Sequence, residues 1–536
     1  MNLYRYKNRE DIESEEDNFE ILKCQLSGKP DYKNVQWTLL CDRSGSMQGD
    51  RIKCLLQTLI DMFKYFINDC NEKNNHHYVH IIAFDDKIEN LHIDVNKDSD
   101  IDLLSKSVKK VLQPRGMTNI GNALNTFKNT KYENEVSMHN VIFMSDGEVT
   151  DGIHSKDLLK SKFQEKIDKI MHGTPAIIGY GTGHDIDCME KLASVTNGEY
   201  HCVESTEGAS VVYGEVLHSC LNEYCRNAEL IIKDGLVYDF KANIWVDKLY
   251  LGRMIVDKQM TWSVKRKNIN KSLSAKIIGE TCKGEKKTLL INCVEDPIKG
   301  EVNEEVERYK LRYLTQTLLA EAREIIENPP RDDFFNPRHS VMLRQPAGLV
   351  RQQAVHSPLM TPPRQHAVLS GPPPLKRKRK NRKAHEDLFN SKSDDDNDEI
   401  NTSDVNVVVN EERTPMSKKE IMIEKLEQHL EMLKEYIENK GDEDSFVTVL
   451  CDDTYIAIRS LRARNGRHFL VARQVSQGNQ RAYMASDMSD MCDEMASIPP
   501  PNHNLLRAKT TPYASQNVVS TIRQVSGPAS IGQNNN

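Results

Sequence analysis

Val35-Gln36-Trp37-Thr38-Leu39-Leu40-Cys41 runs straight into Asp42-Arg43-Ser44-Gly45-Ser46. An apolar stretch of this length, bounded by turn residues, predicts a buried strand. The Asp-x-Ser-x-Ser loop then sits at the strand's carboxyl end, where open parallel sheets bind ligands. Two later pieces complete the set: Thr118 in Arg115-Gly116-Met117-Thr118-Asn119, and Asp146 in Val141-Ile142-Phe143-Met144-Ser145-Asp146-Gly147. These residues offer carboxylate and hydroxyl oxygens and nothing softer, which suits a hard divalent cation such as Mg²⁺.

Together these motifs resemble the von Willebrand factor A (vWA) domain family with its metal-ion-dependent adhesion site. The resemblance covers roughly residues 35–225. It implies that Asp42, Ser44, Ser46 and Thr118 match coordinating positions and that Asp146 matches a second acid, often acting through water. It further implies Mg²⁺, or else Mn²⁺ or Ca²⁺, as the cation, and a protein partner that offers an Asp or Glu to it. A domain that keeps the fold and binds no metal is the bland alternative.

From residue 34 onward, strand-like and helix-like runs alternate, which predicts a doubly wound α/β domain with a mostly parallel sheet. Strands are expected at 35–41, 78–84, 139–144, 175–180 and 200–204, with an antiparallel edge strand at 87–95. Helical runs fall at 50–71, 100–112, 155–172, 187–196 and 208–226. The expected organisation is an N-terminal extension over 1–33 with one strand at Phe19–Leu26, then the vWA domain over 34–226. A β-sandwich-like module follows over 227–300, with strands at Glu229–Ile232, Ile255–Val264, Leu273–Ile278 and Thr288–Val294. A helix spans 301–328 and ends at Pro329-Pro330.

Residues 329–415 read as disordered linker, because Pro, Ser, Asn and charge replace apolar periodicity. Inside it, Lys376-Arg377-Lys378-Arg379-Lys380-Asn381-Arg382-Lys383 follows three prolines and Leu375, and the acidic run Asp394 to Glu399 comes after. Such a basic block in an exposed segment favours an address read by a nuclear import receptor over direct nucleic-acid binding. Structure returns over 416–466 as a helical hairpin. Ser417 and Glu420 form a capping box there, and Ile423, Leu426, Leu430, Leu433 and Ile437 supply the apolar stripe. Residues 467–536 read as a disordered tail; its one internal echo is Arg473-Gln474-Val475-Ser476 with Arg523-Gln524-Val525-Ser526. Ser357, Thr361, Thr414 and Thr511 each precede a proline, and Ser393 precedes the acidic run. All five read as accessible phosphosites.

Bulk properties narrow the function. Of 536 residues, 38% are hydrophobic and 6% aromatic, and the net charge is −7. The low apolar share points to long polar segments, and so mild a charge does not mark the whole chain as a nucleic-acid binder. No apolar run spans a membrane, and Met1 to Glu20 lacks the core of a signal peptide. The twelve cysteines form no Cys-x-x-Cys pair. They read as buried thiols of an intracellular, reducing compartment, with neither a disulfide framework nor a structural zinc site. His76-His77 reads as surface, and Gly179-Tyr180-Gly181-Thr182-Gly183 as a strand-to-helix turn. Glu148 and Asp151 read as a solvated rim.

No Ser-His-Asp, Cys-His or phosphate-loop arrangement occurs, so the chain reads as an interaction protein and not an enzyme. The alternatives are a subunit or adaptor of a ubiquitin-ligase-like complex and a structural protein keeping only the fold. The first follows from a resemblance to plant vWA proteins with RING fingers, whose zinc spacing is missing here. The domain order and the Asn-rich tail also resemble intracellular vWA proteins of large nucleocytoplasmic DNA viruses.

Overall fold

The computed structural model describes residues 2–5, 19–28, 32, 34–127, 136–170, 174–181, 183–195, 198–203, 206–268, 271, 273–281, 284–290, 292–293, 301–328, 416–440, 445–463, 466–482 and 511–526. The expected linker at 329–415, with its basic and acidic runs, lies outside them.

Two strands, β1 (Asn2–Arg5) and β2 (Phe19–Gln25), precede the α/β domain. That domain runs β3 (Asn34–Asp42), α1 (Asp50–Lys73), β4 (His76–Phe84), β5 (Ile88–Val95), α2 (Ile101–Val111), α3 (Ile120–Thr126), β6 (Met138–Ser145), α4 (Lys156–Asp168), β7 (Ala176–Tyr180), α5 (Ile186–Ala193), β8 (Glu199–Val203) and α6 (Thr206–Leu221). The sheet order is β5-β4-β3-β6-β7-β8. Every pairing is parallel except β4 with the edge strand β5. All of β6 and nearly all of β3 are buried, as expected of strands covered by helices on both faces. From β3 the chain first winds outward through β4, then returns to the other side of β3 with β6. The β3/β6 boundary is therefore the topological switch point, where a crevice opens beyond the strand ends.

The strands expected in this α/β domain agree with the observed ones to within a residue or two. The seven-residue helix α3 follows the Thr118 loop, where the sequence turns to a helical pattern. It starts where the Asn119 side chain accepts from Asn122 N at 2.9 Å. The helix expected over 208–226 stops at Leu221, and β9 (Glu223–Lys233) begins two residues later. Alternating burial along β9 sets that boundary, because the strand lays one face on a second core.

The second core lies between two largely antiparallel sheets. The remaining strands are β10 (Gly235–Asp239), β11 (Ile244–Val246), β12 (Lys248–Ile255), β13 (Gln259–Arg266), β14 (Ser274–Glu280), β15 (Lys286–Leu290) and β16 (Asn292–Cys293). One sheet is β11-β10-β13-β2-β1-β16 and the other β12-β9-β14-β15. Leu22, Val237, Trp262 and Val264 of the first pack with Leu230, Met254 and Ile277 of the second. Two expectations change here. The strand in the N-terminal extension is an interior strand of this module, since β2 pairs with β13 from Phe19↔Lys265 to Gln25↔Gln259. The single strand expected over Ile255–Val264 is split between β12 and β13, and Asp257 turns the chain at φ 61°.

The helical layer comprises α7 (Glu301–Glu327), α8 (Lys418–Lys440), α9 (Ser445–Arg462), α10 (Arg467–Gly478) and α11 (Gln516–Ser526). The capping box is formed as expected: Ser417 N donates to Glu420 Oε2 at 2.8 Å, and Glu420 N donates to Ser417 Oγ at 3.2 Å. Leu426, Leu430 and Leu433 join the core between α7, α8 and α9.

The expected disordered tail is corrected by α10 and α11. Polar side chains of α10 are buried with partners: Gln477 Nε2 donates to Asp453 Oδ2 at 2.7 Å, and Arg473 Nη1 lies 3.3 Å from Asp453 Oδ1. Just past α10, Gln480 bonds both backbone groups of Thr261, at 3.0 and 2.8 Å. Helix α11 lies on α6, where His218 Nδ1 and Thr521 Oγ1 are 3.2 Å apart. Thr511 is buried, and its hydroxyl donates to Arg481 O, so this residue is not presented to a kinase. Among the described residues no helix is long and apolar enough to cross a membrane.

Candidate metal centre

Asp42 is the last residue of β3 and is fully buried. Its Oδ1 accepts from Ser44 N at 2.8 Å, and its Oδ2 accepts from the Ser145 hydroxyl at the end of β6. Ser44 Oγ and Ser46 Oγ lie 3.0 Å apart across a short turn. Two backbone bonds press the loop carrying Thr118 against this turn: Gly45 N to Gly116 O at 3.1 Å, and Arg115 N to Arg43 O at 2.8 Å. Gly116 adopts φ 66°, a left-handed conformation natural to glycine. A third loop fixes Thr118, whose N donates to Thr150 Oγ1 at 2.8 Å and whose O accepts from Thr150 N at 3.2 Å. Asp146 follows β6, and its carbonyl accepts from Asp185 N at 2.9 Å. The structure thus brings Asp42, Ser44, Ser46, Thr118 and Asp146 to one rim at the β3/β6 switch point.

Beneath the rim lies a buried charge network that the motif did not disclose. Arg43 is among the largest fully buried side chains. Its guanidinium turns away from the serines, Nη1 donating to Glu89 Oε2 at 2.6 Å and to Val111 O at 2.7 Å. Asp85, also fully buried, takes Arg115 Nε at 2.7 Å and lies 3.2 Å from Arg43 Nε. Its carbonyl accepts from Asn119 N at 3.1 Å. Arg43, Asp85 and Arg115 therefore lock the Thr118 loop to the Asp42 loop.

The electrostatics at the rim are unbalanced. Burial, with the nearby Asp146 adding to it, pushes the Asp42 carboxyl up to about 7 against the hydrogen bonds from Ser145 and Ser44. One cation answers the two acids: Arg51 Nη1 lies 2.8 Å from Asp146 Oδ2 and 3.2 Å from Ser46 O. The other oxygen, Asp146 Oδ1, is buried with no hydrogen-bond partner among the described residues. An orphaned buried carboxylate oxygen is costly, and here it sits among hydroxyls and a second carboxylate. That donor set fits a hard divalent cation.

Sequence reasoning missed Arg51, Ser145 and Thr150. Arg51 carried a usable signal: a positive side chain in a helix's first turn opposes the macrodipole and calls for an anion nearby. Of the other flagged residues, Glu148 is exposed, and Asp151 Oδ2 accepts from Asn119 Nδ2 at 2.8 Å. Of the glycine-rich run, Gly179 and Tyr180 end β7, Gly181 and Gly183 lie between it and α5, and Thr182 falls outside the described residues. His77 corrects the surface expectation. It is fully buried in β4, accepting from Trp37 Nε1 at 3.0 Å and lying 3.0 Å from Asp69 Oδ2. Nine cysteines, from Cys24 to Cys451, are buried thiols outside any disulfide.

Residues 38–213 match the family model "von Willebrand factor type A domain". Among solved structures, the chain is similar to a von Willebrand factor type A protein from Catenulispora acidiphila at 13% identity, covering 58% of this chain and 82% of that one with a TM-score of 0.40. It is similar to three N-terminal domains of the type V pili tip protein Mfa5 from Porphyromonas gingivalis at 10% identity, covering 54% and 76% with a TM-score of 0.27. It is also similar to the pilus adhesin SpaC from Lactobacillus rhamnosus GG at 11% identity, covering 51% and 45% with a TM-score of 0.31. Comparison with curated proteins gives no match. The matched family model and the doubly wound six-stranded sheet together identify residues 38–213 as a von Willebrand factor type A domain.

Proposed function

We propose that this chain is an interaction protein whose vWA domain holds Mg²⁺, with Mn²⁺ or Ca²⁺ as alternatives, and captures an acidic side chain of a protein partner. One observation carries the reading: the orphaned Asp146 Oδ1 lies buried near Asp42, at the switch point of the sheet, with Arg51 answering only the other oxygen. Asp42, Ser44, Ser46 and Thr118 would hold the cation directly, and Asp146 directly or through water. Bound there, the cation supplies a positive centre that few carboxylates leave under-neutralised, open to one more anionic oxygen. Ser145 orients Asp42 by holding its second oxygen. The Arg43–Asp85–Arg115 lock keeps the Thr118 loop in place, so the rim needs little rearrangement to bind. On this reading the chain acts by binding and not by catalysis. The domain order and the Asn-rich tail resemble proteins of large nucleocytoplasmic DNA viruses, and such an origin would make the partner a protein of an infected cell.

Affinity capture with the full chain tests this. Partner retention in Mg²⁺, loss in EDTA and recovery on adding Mg²⁺ back are expected. Thr118→Ala should weaken partner capture more than cation affinity, because a neutral hydroxyl adds little charge to the site. A partner retained equally in EDTA overturns the reading. We extend the proposal to localisation: Lys376 to Lys383 is a nuclear address, supported by its density of charge behind three prolines.

A further inference from the structure

A second cluster, of different chemistry, lies near Arg51. It joins His184 from the turn between β7 and α5, Cys202 from β8, and His468 from the first turn of α10. All three are buried, and one ligand atom from each lies within 4.8 Å of the other two. Two imidazoles and a thiol are borderline-soft donors, quite unlike the oxygens around Asp42. Such sets select Zn²⁺ and its relatives over Mg²⁺ or Ca²⁺.

The surroundings prepare these side chains for that use. His184 Nδ1 lies 2.5 Å from Gly181 O. A carbonyl only accepts, so Nδ1 carries the ring's hydrogen and Nε2 presents its lone pair. A backbone carbonyl orienting an imidazole in this way is the usual support for a metal-binding histidine. Beneath the ring is Gly179, where a Cβ would come within 2.6 Å of His184 Nε2. A glycine in mid-strand thus makes the room the imidazole occupies. The Nε2 lone pair accepts from the Tyr200 hydroxyl; a cation bound there would displace this bond and leave the Tyr200 oxygen at hand as a fourth ligand. His468 meets the His184 ring edge-on, with centroids 4.7 Å apart. Arg467 anchors the start of its helix by pairing with Asp187 and, at 2.9 Å, with Glu327.

We propose that His184, Cys202 and His468 form a Zn²⁺ site that staples α10 to the edge of the vWA sheet. Bond lengths of about 2.0–2.3 Å set ligand separations of roughly 3.3–3.6 Å in a tetrahedral site, so the side chains draw in by at most about 1.5 Å on binding. Cys202 binds as the thiolate and releases its proton to solvent. The fourth position goes to Tyr200 or to water. The competing view is a polar cluster that packs without metal.

The full chain, stripped of metal and titrated with Co²⁺ and then Zn²⁺, decides between them. One equivalent of Co²⁺ should give a thiolate-to-cobalt charge-transfer absorption that Zn²⁺ abolishes by displacement. Zn²⁺ should also raise the thermal midpoint. Cys202→Ser should lose the absorption, His468→Asn should weaken Co²⁺ affinity by about tenfold or more, and Asp42→Ala should keep both. No charge-transfer band in the wild-type chain at one equivalent overturns the site, as does an undiminished band in Cys202→Ser. Should Cys202→Ser fail to fold, undiminished Co²⁺ affinity in His468→Asn overturns it instead.

Discussion

Arg51 Nη1 lies 2.8 Å from Asp146 Oδ2, joining the first turn of α1 to the end of β6. The pair uses one oxygen of Asp146 and leaves the other orphaned. Arg51 therefore relieves part of the repulsion between the two buried aspartates and competes with any divalent cation for the same acid.

Removing that competitor has two opposite effects. Arg51→Ala should raise Mg²⁺ affinity by about three- to tenfold, because a positive neighbour is lost; the guanidinium is a third exposed, so solvent screening limits the gain. The same change should lower the thermal midpoint of the metal-free chain, since Asp42 and Asp146 then face each other unrelieved. Calorimetry and a thermal melt in EDTA read the two effects separately. Weaker Mg²⁺ affinity in the variant would mean that Arg51 supports the site.

Asp42→Ala should abolish cation binding while the sheet survives. The carboxyl is fully buried beside another acid, and its burial already works against its charge. Removing it takes away a ligand without opening a large cavity. Circular dichroism should match the wild-type chain while calorimetry shows no Mg²⁺ heat. Undiminished affinity in the folded variant would defeat the assignment.

Acid should loosen the α/β domain before its carboxylates are all protonated. Burial, with His80 nearby, takes His139 down to about 3, and burial takes His80 down to about 4. Both stay neutral in the fold, with His139 Nε2 2.9 Å from Thr38 Oγ1 and His80 Nε2 3.0 Å from Asn90 Oδ1. Their folded values lie below the unfolded value of about 6.5. Their contribution is therefore fully present above pH ~6.5 and is lost as pH falls from there toward ~4, where only the unfolded chain takes up the protons. Urea midpoints across this range should fall by an amount worth about 5 kcal/mol from the pair. His139→Gln should flatten the slope; an unchanged slope would assign the acid sensitivity to other groups.

Residues 370–386 fused to an unrelated reporter should carry it into the nucleus, and replacing Lys376 through Lys380 with alanine should strand the full chain in the cytoplasm. A nucleic-acid contact makes a different demand, since its affinity falls steeply with salt. A reporter that stays cytoplasmic, with salt-sensitive retention of the chain on DNA or RNA, would replace the address with nucleic-acid binding.

Local chemistry made much of this protein legible from sequence alone. Buried strands such as Val35 to Cys41 announce themselves because both faces of a parallel strand must be apolar. The residues at the rim follow those strands directly, so Asp42 and Asp146 could be placed at strand ends before any contact was known. The capping box at Ser417 and Glu420 is a short-range device, and its two hydrogen bonds form as the spacing requires. Tertiary structure decided what depends on partners distant in the chain. The strand at Phe19 was readable, but its pairing with Gln259–Arg266 across the whole α/β domain was not, since strand propensity names no partner. Helix α10 escaped notice because its Arg and Gln side chains are buried by hydrogen bonding to Asp453, and hydropathy sees only apolar burial. His184, Cys202 and His468 share no short spacing that would mark a metal site. They meet only because the sheet sets β7 beside β8 and the helical layer brings α10 back onto both.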